Sequence, residues 1–131
     1  MKPSILNILL FWFVKYILFY LLQMFKSDNY ALIEFSKLKT NEDWFYYLWI
    51  FLFMPMVCLI IFTAPMFFSF RIKNSIYFSL TILAIFLVEY VLYTWLASQA
   101  DFMNGIYNGL LTLLLFAILF FKRIKVIYQI E

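Results

Sequence analysis

SIYFSLTILAIFLVEYVLYTWLA, residues 75–97, decides the fold. It is an apolar run long enough to cross a bilayer, which takes about 20 residues, yet Glu89 lies inside it. Its counterpart is SILNILLFWFVKYILFYLLQMF, residues 4–25, with Lys15 in the same predicament. An ion at mid-bilayer costs between ~2.5 and more than ~10 kcal/mol, so it persists only when paired, hydrated or used. The sequence therefore poses one question: whether Lys15 and Glu89 neutralise each other or do chemistry.

Composition agrees with a membrane setting. Of the 131 residues, 67% are hydrophobic and 13% charged, against roughly half and a quarter in soluble domains. The length predicts a single integral membrane domain over 1–131. Aromatics reach 24%, led by 18 Phe, and read as lipid-facing bulk. The lone Cys58 forms no intramolecular disulfide.

Apolar runs predict spans at about 4–25, 44–68, 76–97 and 104–121, an all-α, four-transmembrane-helix bundle. The first is expected to be an uncleaved span, since no small-x-small cleavage site follows it. Four spans put both termini and the 69–75 turn on one side, with Lys2, Arg71, Lys73, Lys122, Arg123 and Lys125 opposed only by Glu131. The other side mixes Lys26, Lys37 and Lys39 with Asp28, Glu34, Glu42, Asp43 and Asp101. The positive side faces the cytoplasm, so the expected topology is N-in, C-in, in a bacterial inner membrane. Trp44 and Trp95 then fall at the outer interface. Thr40 is placed to cap the second span by accepting from the Asp43 amide. Pro55 and Pro65 predict kinks in it. In the first outer loop, Ala31, Leu32, Phe35 and Leu38 share a helical face, the pattern of a short interfacial helix. Such a segment serves as a floating connector or as a recognition surface.

Lys15 lies ~16 Å along its helix from Ser4, and Glu89 ~21 Å from Ser75, both counted from the same side. A lysine stem and some tilt bridge the ~5 Å mismatch, so an ion pair between the first and third spans is geometrically allowed. Its plain reading is a pin between helices. Its functional reading is a proton- or cation-coupling site at Glu89, with Tyr90 and Tyr93 in support. Gly105 and Gly109 form the small-xxx-small spacing for close helix packing, within the bundle or between copies. Asp101, Asn104 and Asn108 read as an outer polar cluster. Asn7, Gln23 and Thr81 are further polar groups that need partners inside the bundle.

Absences narrow the function. Without histidine there is no His-based acid–base catalysis or ligation, and one cysteine makes no thiolate metal site. No phosphate-binding glycine loop is present, and the basic clusters are too small for nucleic acid. The sequence predicts neither cofactor nor metal, and a protein that is no enzyme. The expected partners are the lipid bilayer and another membrane protein, or further copies of the chain. Two versions fit: an accessory subunit of a membrane complex, or an immunity-type protein against a membrane-active toxin. A small coupled transporter using Glu89 is the alternative.

Overall fold

The computed structural model describes residues 1–30, 35–96 and 101–129. All regular structure among them is helical: α1 Ile5–Ser27, α2 Asn41–Ser69, α3 Ser75–Leu96 and α4 Phe102–Gln129. α1, α2 and α3 are each long and apolar enough to cross a membrane. The interfacial helix expected from Ala31, Leu32, Phe35 and Leu38 falls largely on 31–34, outside the described residues, and the described 35–37 form a turn.

Local chemistry sets the helix ends. The Ser4 hydroxyl accepts from the Asn7 amide and starts α1. α1 stops at Asp28, whose left-handed backbone (φ 50°) turns its N–H back onto the Met24 and Phe25 carbonyls. α2 opens with a complete capping box: Thr40 Oγ1 accepts from the Asp43 amide, and Asp43 Oδ2 accepts from the Thr40 amide at 2.8 Å. Those backbone donors hold the Asp43 carboxyl below its ordinary pKa.

Pro55 acts on α2 one turn earlier than a simple kink at its own position. It has no N–H for the Phe51 carbonyl, and its ring crowds that oxygen. Trp49–Phe53 accordingly form a π-helical turn, in which Met54 N–H reaches back to Trp49 O. Pro65 stays within the helix.

The helices pack in a ring, α1 against α2, α2 against α3, α3 against α4 and α4 against α1. α1 and α3 therefore face each other across the centre. The buried positions on α1 are Ile8, Phe11, Trp12, Lys15, Tyr16, Phe19 and Met24, and from Ile8 to Phe19 they keep the three- and four-residue spacing of one helical stripe. The inner half of the core is a cluster of rings, with Phe11, Phe70, Phe78, Phe86, Phe116 and Phe120 in mutual contact. On the outside, Leu6, Phe25, Ile60, Ile76, Leu83, Leu110 and Ile118 are exposed. No more than a third of each spanning window is buried, so most of its apolar surface points outward. Apolar cover of that extent belongs against lipid or a partner.

Three contacts tie the helices together at one end of the bundle. Arg123 Nη2 donates to Phe70 O at 3.0 Å, the Met1 ammonium donates to Leu119 O, and Ser79 and Tyr128 share a hydrogen bond. At the opposite end Trp49 Nε1 donates to Leu96 O at 3.2 Å and ties α2 to α3. Trp44 and Trp95 are exposed at that end.

Candidate functional site

Lys15 lies on the inward stripe of α1 and Glu89 on that of α3, so the ring of helices points both at the centre. Lys15 Nζ stands 2.5 Å from Glu89 Oε1, and neither side chain has any solvent exposure. Charges buried in this way need every remaining lone pair occupied. Tyr16 Oη donates to Glu89 Oε1 at 3.0 Å. Asn108 Nδ2 donates to both Glu89 oxygens at 3.1 Å. A carboxylate accepts only, so the Asn108 amide must present its NH2 side. Its carbonyl oxygen is left buried without a partner, as is Thr94 Oγ1.

The ammonium side is completed by rings. Lys15 Nζ lies 4.0 Å from the Tyr16 ring centre, 5.4 Å from Tyr93 and 5.5 Å from Trp12. Tyr16 and Tyr93 stack at 5.7 Å. Aromatic faces attract a cation most where water is absent, so they replace part of its lost hydration. The result is a neutral assembly in which Glu89 gathers donors from α1 and α4, while Cys58 of α2 is buried in the same core.

The other site residues separate into different tasks. Tyr90, expected beside Glu89, packs on the glycines of α4. A Cβ on Gly105 would lie 2.2 Å from Thr94 Oγ1 and 2.9 Å from Tyr90 Cε2, so α3 and α4 touch only because that side chain is missing. A Cβ on Gly109 would meet nothing nearer than Tyr90 Cδ2 at 3.9 Å. The two glycines are thus unequal, and both face a helix of the same chain.

The outer polar cluster is divided. Asp101 Oδ1 caps α4, accepting from the Met103 and Asn104 amides. Asn104 Oδ1 accepts from Gln23 Nε2 at 3.1 Å and Lys26 Nζ at 3.0 Å, bridging to α1. Asn108 is corrected from the outer surface to the core, one turn deeper on the same face. The sequence reading missed Tyr16, although it directly follows Lys15. Asn7 donates to Lys2 O, and Thr81 bonds back to Tyr77 O.

Between α1 and the N-terminal half of α2 lies a cavity of about 540 Å³. Tyr20, Tyr47, Phe51 and Leu59 line it, with Tyr16 and Tyr93 towards the ion pair and Gln23 and Asn104 at the opposite end. No group of three or more Cys, Asp or Glu side chains gathers as for a metal among the described residues. Fold and site define an all-helical bundle of the membrane type with an ion pair sealed in its centre. No known protein family, curated protein or solved structure matches the chain.

Proposed function

We propose that the chain is a four-span protein of a bacterial cytoplasmic membrane that does no chemistry of its own and acts by contact with another membrane protein. The reading includes α4 as a span: 104–121 carries no charged residue, and the 28-residue helix reaches ~42 Å against a hydrocarbon core of ~30 Å. Lys122, Arg123 and Lys125 then leave the lipid beside Arg71 and Lys73, and the preference of Lys and Arg for the cytoplasmic side supports an N-in, C-in reading.

The observation that carries the proposal is the saturation of Glu89. Lys15, Tyr16 and Asn108 donate to its oxygens and the carboxylate itself has zero exposure, so the ions fix the helix arrangement. The working surface is then the exposed helix faces and the outer end, where Phe35, Trp44, Phe45 and Trp95 stand in the open. An accessory subunit and an immunity-type protein both use such a surface. Purification of the tagged chain in mild detergent should recover a stoichiometric membrane partner, or its expression should protect cells from a specific pore-former. A chain that stays alone and protects against nothing ends the proposal.

One observation favours proton- or cation-coupled transport as a second reading. Tyr16 and Tyr93 wall the cavity and also touch or face the Lys15–Glu89 pair. Flux in proteoliposomes that disappears in Glu89→Gln would establish this reading, and flux that survives the substitution would remove it.

A further inference from the structure

The cavity between α1 and α2 has the dimensions of one membrane leaflet. Its lining runs along α1 from Gln23 at the outer end to Phe13, ten residues or ~15 Å deeper, half of a ~30 Å hydrocarbon core. Its volume of about 540 Å³ is within the ~300–1,000 Å³ of small-molecule sites. The wall is apolar and aromatic along that length, and the π-helical turn of α2 shapes one side through Ile50, Phe51 and Leu52. π-turns recur at binding sites because they displace side chains from the regular register.

Apart from the hydroxyls of Tyr16, Tyr20, Tyr47 and Tyr93, the polar side chains of the lining are Gln23 and Asn104 at the mouth. Lys26, three residues beyond Gln23 on α1, reaches that mouth through Asn104. Lys26 Nζ donates to Asn104 Oδ1 and lies 5.1 Å from the Tyr107 ring, with no carboxylate among the described residues in salt-bridge contact. An ammonium with no ion-pair contact among the described residues, above a greasy slot one leaflet deep, matches a molecule with an anionic head and a long apolar tail.

We infer that this cavity is a binding site for one outer-leaflet phospholipid, its phosphate on Lys26 and one acyl chain laid along Tyr20, Phe51 and Leu59. The inference rests on the four-span, N-in reading proposed above and is independent of which partner the protein meets. It predicts that the chain, purified in mild detergent from nanodiscs of phosphatidylglycerol, keeps one phospholipid in native mass spectrometry. Diacylglycerol with the same chains is not kept, and inorganic phosphate gives no adduct. Leu59→Trp, which fills the slot, abolishes retention. Lys26→Gln, which leaves the slot intact, weakens it about fivefold, the effect of one basic side chain near a lipid surface. If Leu59→Trp does not fold, the Lys26→Gln arm decides alone. Unchanged retention in Lys26→Gln overturns the inference. Retention in a folded Leu59→Trp protein, or equal retention of diacylglycerol, also overturns it and leaves ordinary lipid contact.

Discussion

Removing the charge of Glu89 should cost more than removing that of Lys15, and removing both should cost less than the two losses added. In Glu89→Gln the ammonium loses its counter-charge and is left buried with a neutral amide oxygen and the rings of Trp12, Tyr16 and Tyr93. Breaking a buried pair from one side costs about 3–5 kcal/mol, and this variant belongs at the upper end. In Lys15→Met the carboxyl keeps Tyr16 and both Asn108 bonds, so the cost is nearer ~3 kcal/mol. The double variant leaves no buried ion, and exchanging a buried pair for neutral groups of like volume is often close to neutral. The single costs add to ~8 kcal/mol, and the double variant should lose no more than ~5. The interaction energy is then ~3 kcal/mol, a factor of about 10² in the unfolding constant. The assay is equilibrium unfolding in mild-detergent micelles with rising dodecyl sulfate, followed by the fluorescence of the buried Trp12 and its three fellow tryptophans. Additivity to within about 0.5 kcal/mol would show that the charges do not act on each other. A Lys15→Met loss larger than that of Glu89→Gln would refute the assignment of partners.

Other substitutions probe separate features. Gly105→Ala drives a methyl into Thr94 and Tyr90 and should lower stability by about 1–3 kcal/mol, whereas Gly109→Ala should be nearly silent in the same unfolding assay. Asn108→Ala strips two donors from a buried carboxylate and should cost about 1–3 kcal/mol, clearly more than Asn104→Ala at the part-exposed outer end. Thr40→Ala should speed hydrogen exchange in the first turn of α2 alone. That turn should also loosen in acid: the Asp43 pKa is lowered by folding, so the cap is complete above about pH 4 and is lost as pH falls through the depressed value. A protection factor in the first turn, corrected for the intrinsic pH dependence of exchange, that stays constant down to pH 2 would contradict this sign.

The site was partly legible in the sequence because charges within apolar runs stand out, and helix rise alone brought Lys15 and Glu89 to similar depths. The cap at Thr40 was legible for a similar reason, since its partners are three residues apart. Tyr16 was not legible as a donor to Glu89. Adjacent residues on a helix point about 100° apart, and only the diagonal placement of α1 and α3 lets both Lys15 and Tyr16 face one carboxylate. Asn108 was misjudged because the start of α4 was judged by composition. With the helix beginning at Phe102, Asn108 is nearly two turns in, on the face it shares with Asn104 and Thr112. Spacing at 101, 104, 108 and 112 was the available signal, a polar line entering the core. The π-turn followed from Pro55, yet its position depends on how the freed carbonyl is satisfied, which sequence does not specify.

The pairing of opposite helices bears on how the protein is made. Lys15 precedes Glu89 by 74 residues, so a ribosome adding about 5–20 residues per second exposes the lysine for roughly 4–15 s before its carboxylate exists. A lone lysine at the centre of a helix opposes insertion by about 2.5–3.5 kcal/mol. In the four-span reading the fourteen Leu, Ile, Phe and Val residues of α1 outweigh that penalty at about −0.3 to −0.6 kcal/mol each, so α1 enters lipid first and its lysine stays uncompensated until α3 arrives. Nascent chains arrested before residue 89 should therefore hold α1 in the membrane less firmly than the same chains carrying Lys15→Leu, as read by extraction or proteolysis.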